Sequence, residues 1–163
     1  MSLEIVIPTI GRDTLSRAIE SVENQTIPTK PVVYFDNFHL GASFMRNQAI
    51  QKCKTTWVGF CDDDDYLDPH YHEWLKEIKN ADMVIFQMKR PDGMILPDHT
   101  DTDKLAYNWV GISFALRTSI AKEFPFKDII GEDFDLIQRV LQAGLRVVVS
   151  PRVAYYLGEE LTV

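Results

Sequence analysis

Segments rich in β-branched and aromatic residues alternate with amphipathic segments along the first part of this chain. "LEIVI" at residues 3–7, "KPVVYF" at residues 30–35 and "TTWVGF" at residues 55–60 have the composition of buried strands. Between them, "TLSRAIESVENQ" and "GASFMRNQAIQKC" carry apolar residues at helical spacing. Strands that alternate with helices predict an α/β domain whose central sheet is mainly parallel and flanked by helices.

The rest of the chain continues this pattern and adds antiparallel pieces. Asp68-Pro69 favours the start of a helix, and Pro-Asp-Gly favours a hairpin turn. The predicted elements are, in order, a helix over "HYHEWLKEIKN", a strand over "ADMVIFQM", a hairpin turn in "KRPDGMIL", a strand at "GISFALR", a helix over about residues 133–143 that ends at Gly144, and strands at "LRVVVS" and "RVAYYL".

Length and composition indicate one compact domain over residues 1–163. Hydrophobic residues make up 45% of the chain and charged residues 25%, which are ordinary globular values. A chain of this length can bury a sizeable core. The net charge of -7 argues against a broad nucleic-acid or anionic-membrane surface.

The sequence also bears on where such a protein works. No apolar run approaches the roughly 20 residues that a membrane-spanning helix needs. The N-terminus lacks the basic region of a signal peptide, and its apolar stretch stops at Pro8. Cys53 and Cys61 lack C-x-x-C spacing, which favours a reduced protein. We therefore expect no transmembrane segment and a cytoplasmic location.

Four consecutive aspartates, Asp62–Asp65, directly follow the third predicted strand. Neighbouring carboxylates repel and are rarely buried unpaired, so the run needs water, basic side chains or a metal ion nearby. Thr9 and Asp36 also follow strand ends, and ligands of open parallel sheets bind at the carboxyl ends of the strands. We expect Thr9, Asp36 and the four aspartates to meet at one edge of the sheet.

Two kinds of metal site are compatible with the acidic run. In an EF-hand-like loop starting at Asp62, Asp64, Asp68 and Glu73 would occupy ligand positions, but Leu67 stands where glycine belongs, and a strand rather than a helix precedes the loop. In a D-x-D site, Asp62 and Asp64 would share one side of an extended segment and face Mg²⁺ or Mn²⁺ on a nucleotide diphosphate.

Four segments occur in a characteristic order: "IVIPTIGRDTLSRAIESVENQT", "GASFMRNQAI", "WVGFCDDDDYLDP" and "GEDFDLIQRVLQAGLRVVVSP". Together they resemble the nucleotide-diphospho-sugar glycosyltransferases of the GT-A fold, most of all family 2, over about residues 4–156. The resemblance implies a shortened GT-A fold. It also implies metal-dependent, inverting transfer from a nucleotide-diphospho-sugar, with UDP favoured, to a hydroxyl of a glycan, glycolipid or other acceptor.

The resemblance further implies roles for particular residues. Asp64 matches the ligand of Mn²⁺ or Mg²⁺, and Asp133, the second acid of an "E-D" pair, matches the catalytic base. Trp109 and Glu132 would contact the acceptor. Nucleotide binding would involve Pro8, Thr9, Arg12, Asp36, Arg46, Asp62 and Asp63, with Gly41 and Asn47 nearby in a "G-x-x-x-x-R-N" segment.

Structural roles remain open for several of these residues. Asp36 is also typical of a turn at a strand end, and Arg46 could pair with an aspartate of the acidic run. Asp133 could cap its helix, and Trp109 could pack in the core. His70 and His72 are either metal ligands or, more commonly, surface residues in the first turn of a helix.

The chain departs from the family pattern at two places. Only "NFHL" separates Asp36 from Gly41, where relatives usually have a longer segment, and no histidine follows His99 to complete a metal shell. The chain is also short for the family, so an acceptor-binding domain could belong to a partner or to a longer parent protein. Candidate substitutes for the late histidine are Tyr155, Tyr156, Glu159 and Glu160.

Three other functions are compatible with this fold. A retaining glycosyltransferase would use the same donor site. A nucleotidyltransferase is disfavoured, because the first loop, "PTIGRDT", has only one glycine and one arginine. The third is a module that binds sugar nucleotides without catalysis, so it is not an enzyme. It remains open because fold alone does not establish turnover.

Overall fold

Strands and helices alternate along residues 1–158, which are the residues that the computed structural model describes. The strands are β1 (Leu3–Thr9), β2 (Lys30–Phe35), β3 (Trp57–Phe60), β4 (Tyr66–Leu67), β5 (Met83–Lys89), β6 (Ile95–Leu96), β7 (Phe114–Arg117) and β8 (Val147–Tyr156). The helices are α1 (Leu15–Glu23), α2 (Ala42–Lys52), α3 (Tyr71–Glu77), α4 (Thr118–Glu123) and α5 (Glu132–Gln142), and a short 3₁₀ turn spans Thr102–Lys104.

All of these strands belong to one sheet, in the order β2-β1-β3-β7-β5-β8-β4, with β6 on β5. β1 pairs in parallel with β2 and β3, and β5 pairs in parallel with β8. The antiparallel ladders, which involve β7, β6 and β4, are shorter. The predicted α/β fold with long parallel ladders is therefore confirmed, and β7 enters antiparallel between β3 and β5.

The core lies along the central strands. Every residue of β1 and of β3 is buried, as expected for strands that are covered on both faces. α1 contacts β1, β2 and β4, while α2 contacts β1, β2 and α4. Because the first three strands are held this firmly, the loops at their carboxyl ends start from fixed positions.

The structure differs from the sequence prediction in the last third of the chain. One long strand, β8, replaces the two strands predicted at "LRVVVS" and "RVAYYL". Its register against β5 shifts so that residues 150–152 lie opposite Phe86 alone. Pro151 sits within this irregularity, where proline costs no ladder hydrogen bond. Helix α4 was not predicted, because its six residues are too few to show a helical period.

Two structural findings bear on membranes and redox chemistry. Within residues 1–158, none of the helices has the length and apolar character needed to cross a bilayer. Cys53 and Cys61 are both buried free thiols.

Candidate active site

The carboxyl ends of β1, β2 and β3 border a cavity of about 290 Å³. Thr9, Asp36 and Asp62–Asp64 line it, so the expected meeting of these side chains at one edge of the sheet is present. Asp65 is turned away from the cavity and bonds elsewhere. The lining residues are Pro8, Thr9, Ile10, Arg12, Asp36, Ala42, Met45, Arg46, Asp62, Asp63, Asp64 and Glu132.

The acidic run forms a tight turn between β3 and β4. The backbone N–H of Asp65 donates to the carbonyl of Asp62 over 3.1 Å. The extended backbone expected for a D-x-D site is therefore wrong, but Asp62 and Asp64 both line the cavity, as that site expected. The EF-hand alternative is wrong, because strands rather than helices flank the turn. The four carboxylates of the turn have different hydrogen-bond or ion-pair partners.

Asp63 ties the turn to the first loop. The Thr9 hydroxyl donates to Oδ2 of Asp63 over 2.6 Å, and Nε of Arg12 lies 3.4 Å from Oδ1. The same Arg12 guanidinium lies 3.7 Å from Oδ2 of Asp64. Of the alternatives that the sequence left open for the acidic run, basic side chains are therefore present, and one of them comes from the loop after β1.

Asp65 faces the C-terminal strand instead of the cavity. The buried Tyr155 hydroxyl donates to Oδ2 of Asp65 over 2.6 Å and accepts from the N–H of Asp62 over 3.0 Å. The N–H of Gly158 donates to Oδ1 of Asp65. Burial raises the pKa of Asp65 to about 7, although these donors favour its charged form. Tyr155 therefore anchors the acidic turn to β8.

Replacing Tyr155 with phenylalanine is expected to lower the free energy of unfolding by about 1–3 kcal/mol, because Asp65 and the Asp62 N–H both lose a buried partner. Tyr156→Phe is the matched control. Its hydroxyl lies 3.4 Å from Oδ2 of Asp68 at a partly exposed position, so its loss is expected to stay within about 0.5 kcal/mol. Urea denaturation measures both. If Tyr155→Phe loses as little stability as the control is expected to lose, the Tyr155–Asp65 bond adds nothing measurable to folding.

Arg46 is a buried cation that joins the two acidic parts of the site. Its Nη2 donates to Oδ1 of Asp62 over 2.8 Å, and its Nη1 donates to Oε1 of Glu132 over 3.1 Å. The side chain is only 3% exposed, and its Nε has no partner among the described residues. Burial by itself lowers the pKa of Arg46, but the two carboxylates outweigh it and raise the pKa overall. Arg46 thus links the acidic turn to the start of α5.

Asp36 closes the short loop after β2. Its two carboxylate oxygens accept from the N–H groups of Leu40 and Gly41, each over 2.8 Å. These bonds lower the pKa of Asp36. Gly41 has a φ of 96°, which disfavours any residue with a side chain. The turn role left open by the sequence is therefore present, and Asp36 also borders the cavity.

The "E-D" pair opens α5. Gly131 is the N-cap and Glu132 the first helical residue, so the prediction that Asp133 caps the helix is wrong. Oδ1 of Asp133 accepts from the N–H of Phe134 over 2.7 Å. Burial raises the pKa of Asp133 most, the Phe134 bond opposes this, and the charge of Glu132 adds to it. Glu132 lines the cavity, whereas Asp133 is not among its described lining residues.

The loop before β7 runs beside Asp133. A Cβ placed on Gly111 would lie 3.7 Å from Oδ2 of Asp133. Tyr107 packs edge-on against Phe134 of α5, with ring centroids 6.4 Å apart. Trp109 is 48% exposed, so the core-packing alternative for it is wrong. An exposed tryptophan and a partly buried carboxylate therefore lie on neighbouring segments.

Two predictions near the site do not match the structure. Asn47 does not line the cavity; its amide clamps the backbone of Phe126 with bonds of 2.8 and 2.9 Å. His72 is buried, with Nδ1 2.8 Å from the Thr29 hydroxyl, because α3 packs this face inward. His70 is exposed and pairs with Asp68. Glu159 and Glu160, named above as candidate metal ligands, lie outside the described residues.

The acidic turn has the donor set of a hard-cation site. One carboxylate oxygen from each of Asp62, Asp64 and Asp65 lies within 4.8 Å of the others. Oxygen donors suit Mg²⁺ or Mn²⁺. Burial raises the pKa of Asp64, with the charge of Asp62 adding to it, so a cation at this position would favour its ionised form. Asp62 and Asp64 both line the cavity, but Asp62 pairs with Arg46 over 2.8 Å. Both oxygens of Asp65 already accept hydrogen bonds.

The sequence profile described as "Glycosyl transferase family 2" matches residues 36–131, which is more than half of the chain. The chain belongs to glycosyl transferase family 2. The matched range includes the loop after β2, the Arg46 segment and the acidic turn, and it ends at the N-cap of α5. No curated protein matches this family 2 chain closely enough to count as a relative.

Solved structures of S. aureus TarS share the fold of this family 2 chain. TarS 1–349 superposes with a TM-score of 0.75 at 16% identity, covering 97% of this chain and 60% of that one. TarS 1–349 in complex with UDP superposes with a TM-score of 0.77 at 18% identity, covering 98% of this chain and 61% of that one. TarS 1–349 in complex with UDP-GlcNAc superposes with a TM-score of 0.75 at 15% identity, covering 100% of this chain and 60% of that one. The fold is that of the GT-A glycosyltransferases, and the chain spans about 60% of the length of these structures.

Proposed function

We propose that this domain transfers a sugar from a nucleotide-diphospho-sugar to an acceptor hydroxyl, with inversion at the anomeric carbon. The observation that carries the proposal is the cavity itself: Arg46 bridges the acidic turn, Asp62–Asp65, and Glu132 at the head of α5. In this proposal Asp62 serves the donor and Glu132 the acceptor, and both carboxylates pair with the same buried cation. Family membership supports the proposal, and so do the structures of TarS with UDP and UDP-GlcNAc on the same fold.

In this proposal the nucleotide occupies the cavity. Asp36 receives the base at the end of β2, and Asp62 lies by the ribose. UDP-GlcNAc is the first donor to test, since TarS is solved with it. The nucleotide-binding residues are Pro8, Thr9, Arg12, Asp36, Arg46, Asp62 and Asp63, all of which line the cavity.

Asp64 is proposed as the protein ligand of Mn²⁺ or Mg²⁺. The bound cation would neutralise the charge that builds on the departing diphosphate. Asp62 lies 2.8 Å from Arg46, and Asp63 lies 3.4 Å from Arg12. Asp64 lies 3.7 Å from Arg12, so its ion pair is the longest of the three that face the cavity. The donor would thus be oriented before transfer begins, which supplies much of the rate.

Asp133 is proposed as the general base. It takes the proton of the acceptor hydroxyl while that oxygen forms a bond to the anomeric carbon, and the bond from this carbon to the diphosphate oxygen breaks. A single displacement of this kind inverts the configuration. The raised pKa of Asp133 makes it a stronger base than an exposed aspartate. Trp109 and Glu132 are proposed to contact the acceptor, a glycan, glycolipid or other hydroxyl compound.

A second candidate function is binding of the sugar nucleotide without turnover. Two observations favour it: Asp133 is not among the described residues that line the cavity, and the chain spans only about 60% of the TarS structures. We propose that the chain is one catalytic domain all the same, because Asp64 and Asp133 are both present. An assay of donor turnover separates the two functions.

A thermal-shift screen with nucleoside diphosphates and Mn²⁺ tests the donor site, because ligands that bind only the native state raise its apparent stability. UDP is expected to raise the melting temperature most and ADP least. Asp36 can accept from uracil N3–H or from the N1–H and N2–H₂ groups of guanine, whereas adenine has no ring donor at that edge. Equal shifts for ADP and UDP would show that the short loop after β2 does not read the base.

A further inference from the structure

A second cleft, of about 440 Å³, lies next to the acidic turn. The cleft is lined by Arg17 of α1, Tyr66 of β4, Lys89 at the end of β5, Arg90 directly after it, and Tyr156 of β8, and we call it the basic–tyrosine cleft. It shares no described residue with the cavity at the ends of β1, β2 and β3. Arg17 connects the two, because its Nη2 donates to the backbone carbonyl of Asp64 over 2.7 Å.

The charge of this cleft is opposite to that of the chain. Its described lining contains three cations and no carboxylate, although the net charge is -7. Arg90 pairs with Asp92 over 3.0 Å, at an exposed position. Neither Arg17 nor Lys89 forms an ion pair with a carboxylate within residues 1–158. Arg17 is partly buried, whereas Lys89 and Arg90 are exposed. A cation that is partly withdrawn from water favours a counter-anion, and the two exposed cations add to the positive charge, so the cleft is suited to an anionic group.

The two tyrosines form a stacked aromatic pair beside these cations. The rings of Tyr66 and Tyr156 stack, with centroids 5.2 Å apart and planes inclined by 10°. The guanidinium of Arg17 lies over the Tyr66 ring, 5.0 Å from its centroid, which fixes the ring and orients the charge. Aromatic rings of this kind pack against the C–H face of a saturated sugar ring.

We infer that the basic–tyrosine cleft binds an anionic sugar, that is, a phosphate or carboxylate group carried on a saturated ring. In this inference Lys89 and Arg90 bind the anion, and Arg17 adds positive charge. Tyr66 and Tyr156 contact the sugar ring. This site is distinct from the proposed donor site and does not depend on catalysis. It gives the domain a second place at which a charged glycan can be held.

The test is an NMR titration of the whole chain with glucose 6-phosphate, glucuronate, inorganic phosphate and methyl glucoside, following the ring signals of Tyr66 and Tyr156. Glucose 6-phosphate or glucuronate is expected to shift both signals, while methyl glucoside is not. The double variant K89A/R90A is expected to weaken binding at least about tenfold, since hydrogen bonds to charged groups are worth this much. The matched control, K52A/K54A, removes two exposed lysines near the end of α2 and should bind as the native chain does.

The outcomes separate the parts of the inference. Preference for glucose 6-phosphate identifies a phosphate ester, and preference for glucuronate identifies a carboxylate; both support the site. Inorganic phosphate that binds as tightly as either sugar overturns the ring contact, and equal binding by native and K89A/R90A protein overturns the site. UDP with Mn²⁺ is titrated in parallel. UDP is expected to bind in the other cavity. If UDP does not bind, that result counts against the proposed function and not against this cleft.

Discussion

Replacing Asp133 with asparagine is expected to reduce sugar transfer by about 10²–10⁴-fold, the usual worth of a positioned general base. Asparagine keeps the size of the side chain and its bond to the Phe134 N–H but cannot take a proton. Donor and metal binding should stay nearly intact, since Asp133 does not line the cavity. Asp135→Asn is the matched control, because Asp135 sits in the same helical turn and pairs with Arg139 over 2.8 Å. It should leave transfer close to native.

The pH dependence of transfer provides an independent check on Asp133. A general base must be ionised, so kcat/KM is expected to fall as the pH drops through the pKa of Asp133. Because burial raises that pKa, the fall should begin at a higher pH than for an exposed aspartate. The Asp133→Asn variant should lack this acidic limb. Near-normal turnover by the variant, or a product that retains the donor's configuration, would refute the inverting mechanism.

Replacing Asp64 with asparagine is expected to abolish Mn²⁺-dependent binding of UDP while the protein stays folded. A partly exposed residue of the turn contributes little to the core, but an amide lacks the charge that a hard cation favours. Isothermal titration of UDP with Mn²⁺ and with EDTA measures the loss. Asp62→Asn is the comparison, and it should weaken UDP binding more than metal binding. Unchanged Mn²⁺-dependent affinity in Asp64→Asn would remove Asp64 from the metal site.

The first three strands and the meeting of their loops could be predicted from local sequence. β1 and β3 are short apolar runs buried on both faces, and such runs are visible in a single sequence. Parallel strands place their carboxyl ends together, which is why Thr9, Asp36 and the acidic turn were expected at one edge. The resemblance to family 2 then supplied the roles of residues that pattern alone does not assign.

The partners of the acidic turn could not be predicted, because they lie far along the chain. Tyr155 and Asp65 are 90 residues apart, and Arg46 and Glu132 are 86 apart. Periodicity reports only local structure, so it does not indicate which distant donor satisfies a buried carboxylate. The turn geometry of Asp62–Asp65 could not be predicted either, because four identical side chains give no sign of where each one points. The basic–tyrosine cleft likewise collects residues from four separate elements.

We propose that this domain turns over a nucleotide-diphospho-sugar. The most direct measurement is release of UDP from UDP-GlcNAc, in the presence of Mn²⁺ and without acceptor, followed by chromatography. We expect slow release by the native chain, with water as the acceptor, and its loss with EDTA, in Asp64→Asn and in Asp133→Asn. UDP-GlcNAc that binds with Mn²⁺ but is never cleaved, with or without added acceptors, would contradict the claim and identify the chain as a non-catalytic binding module.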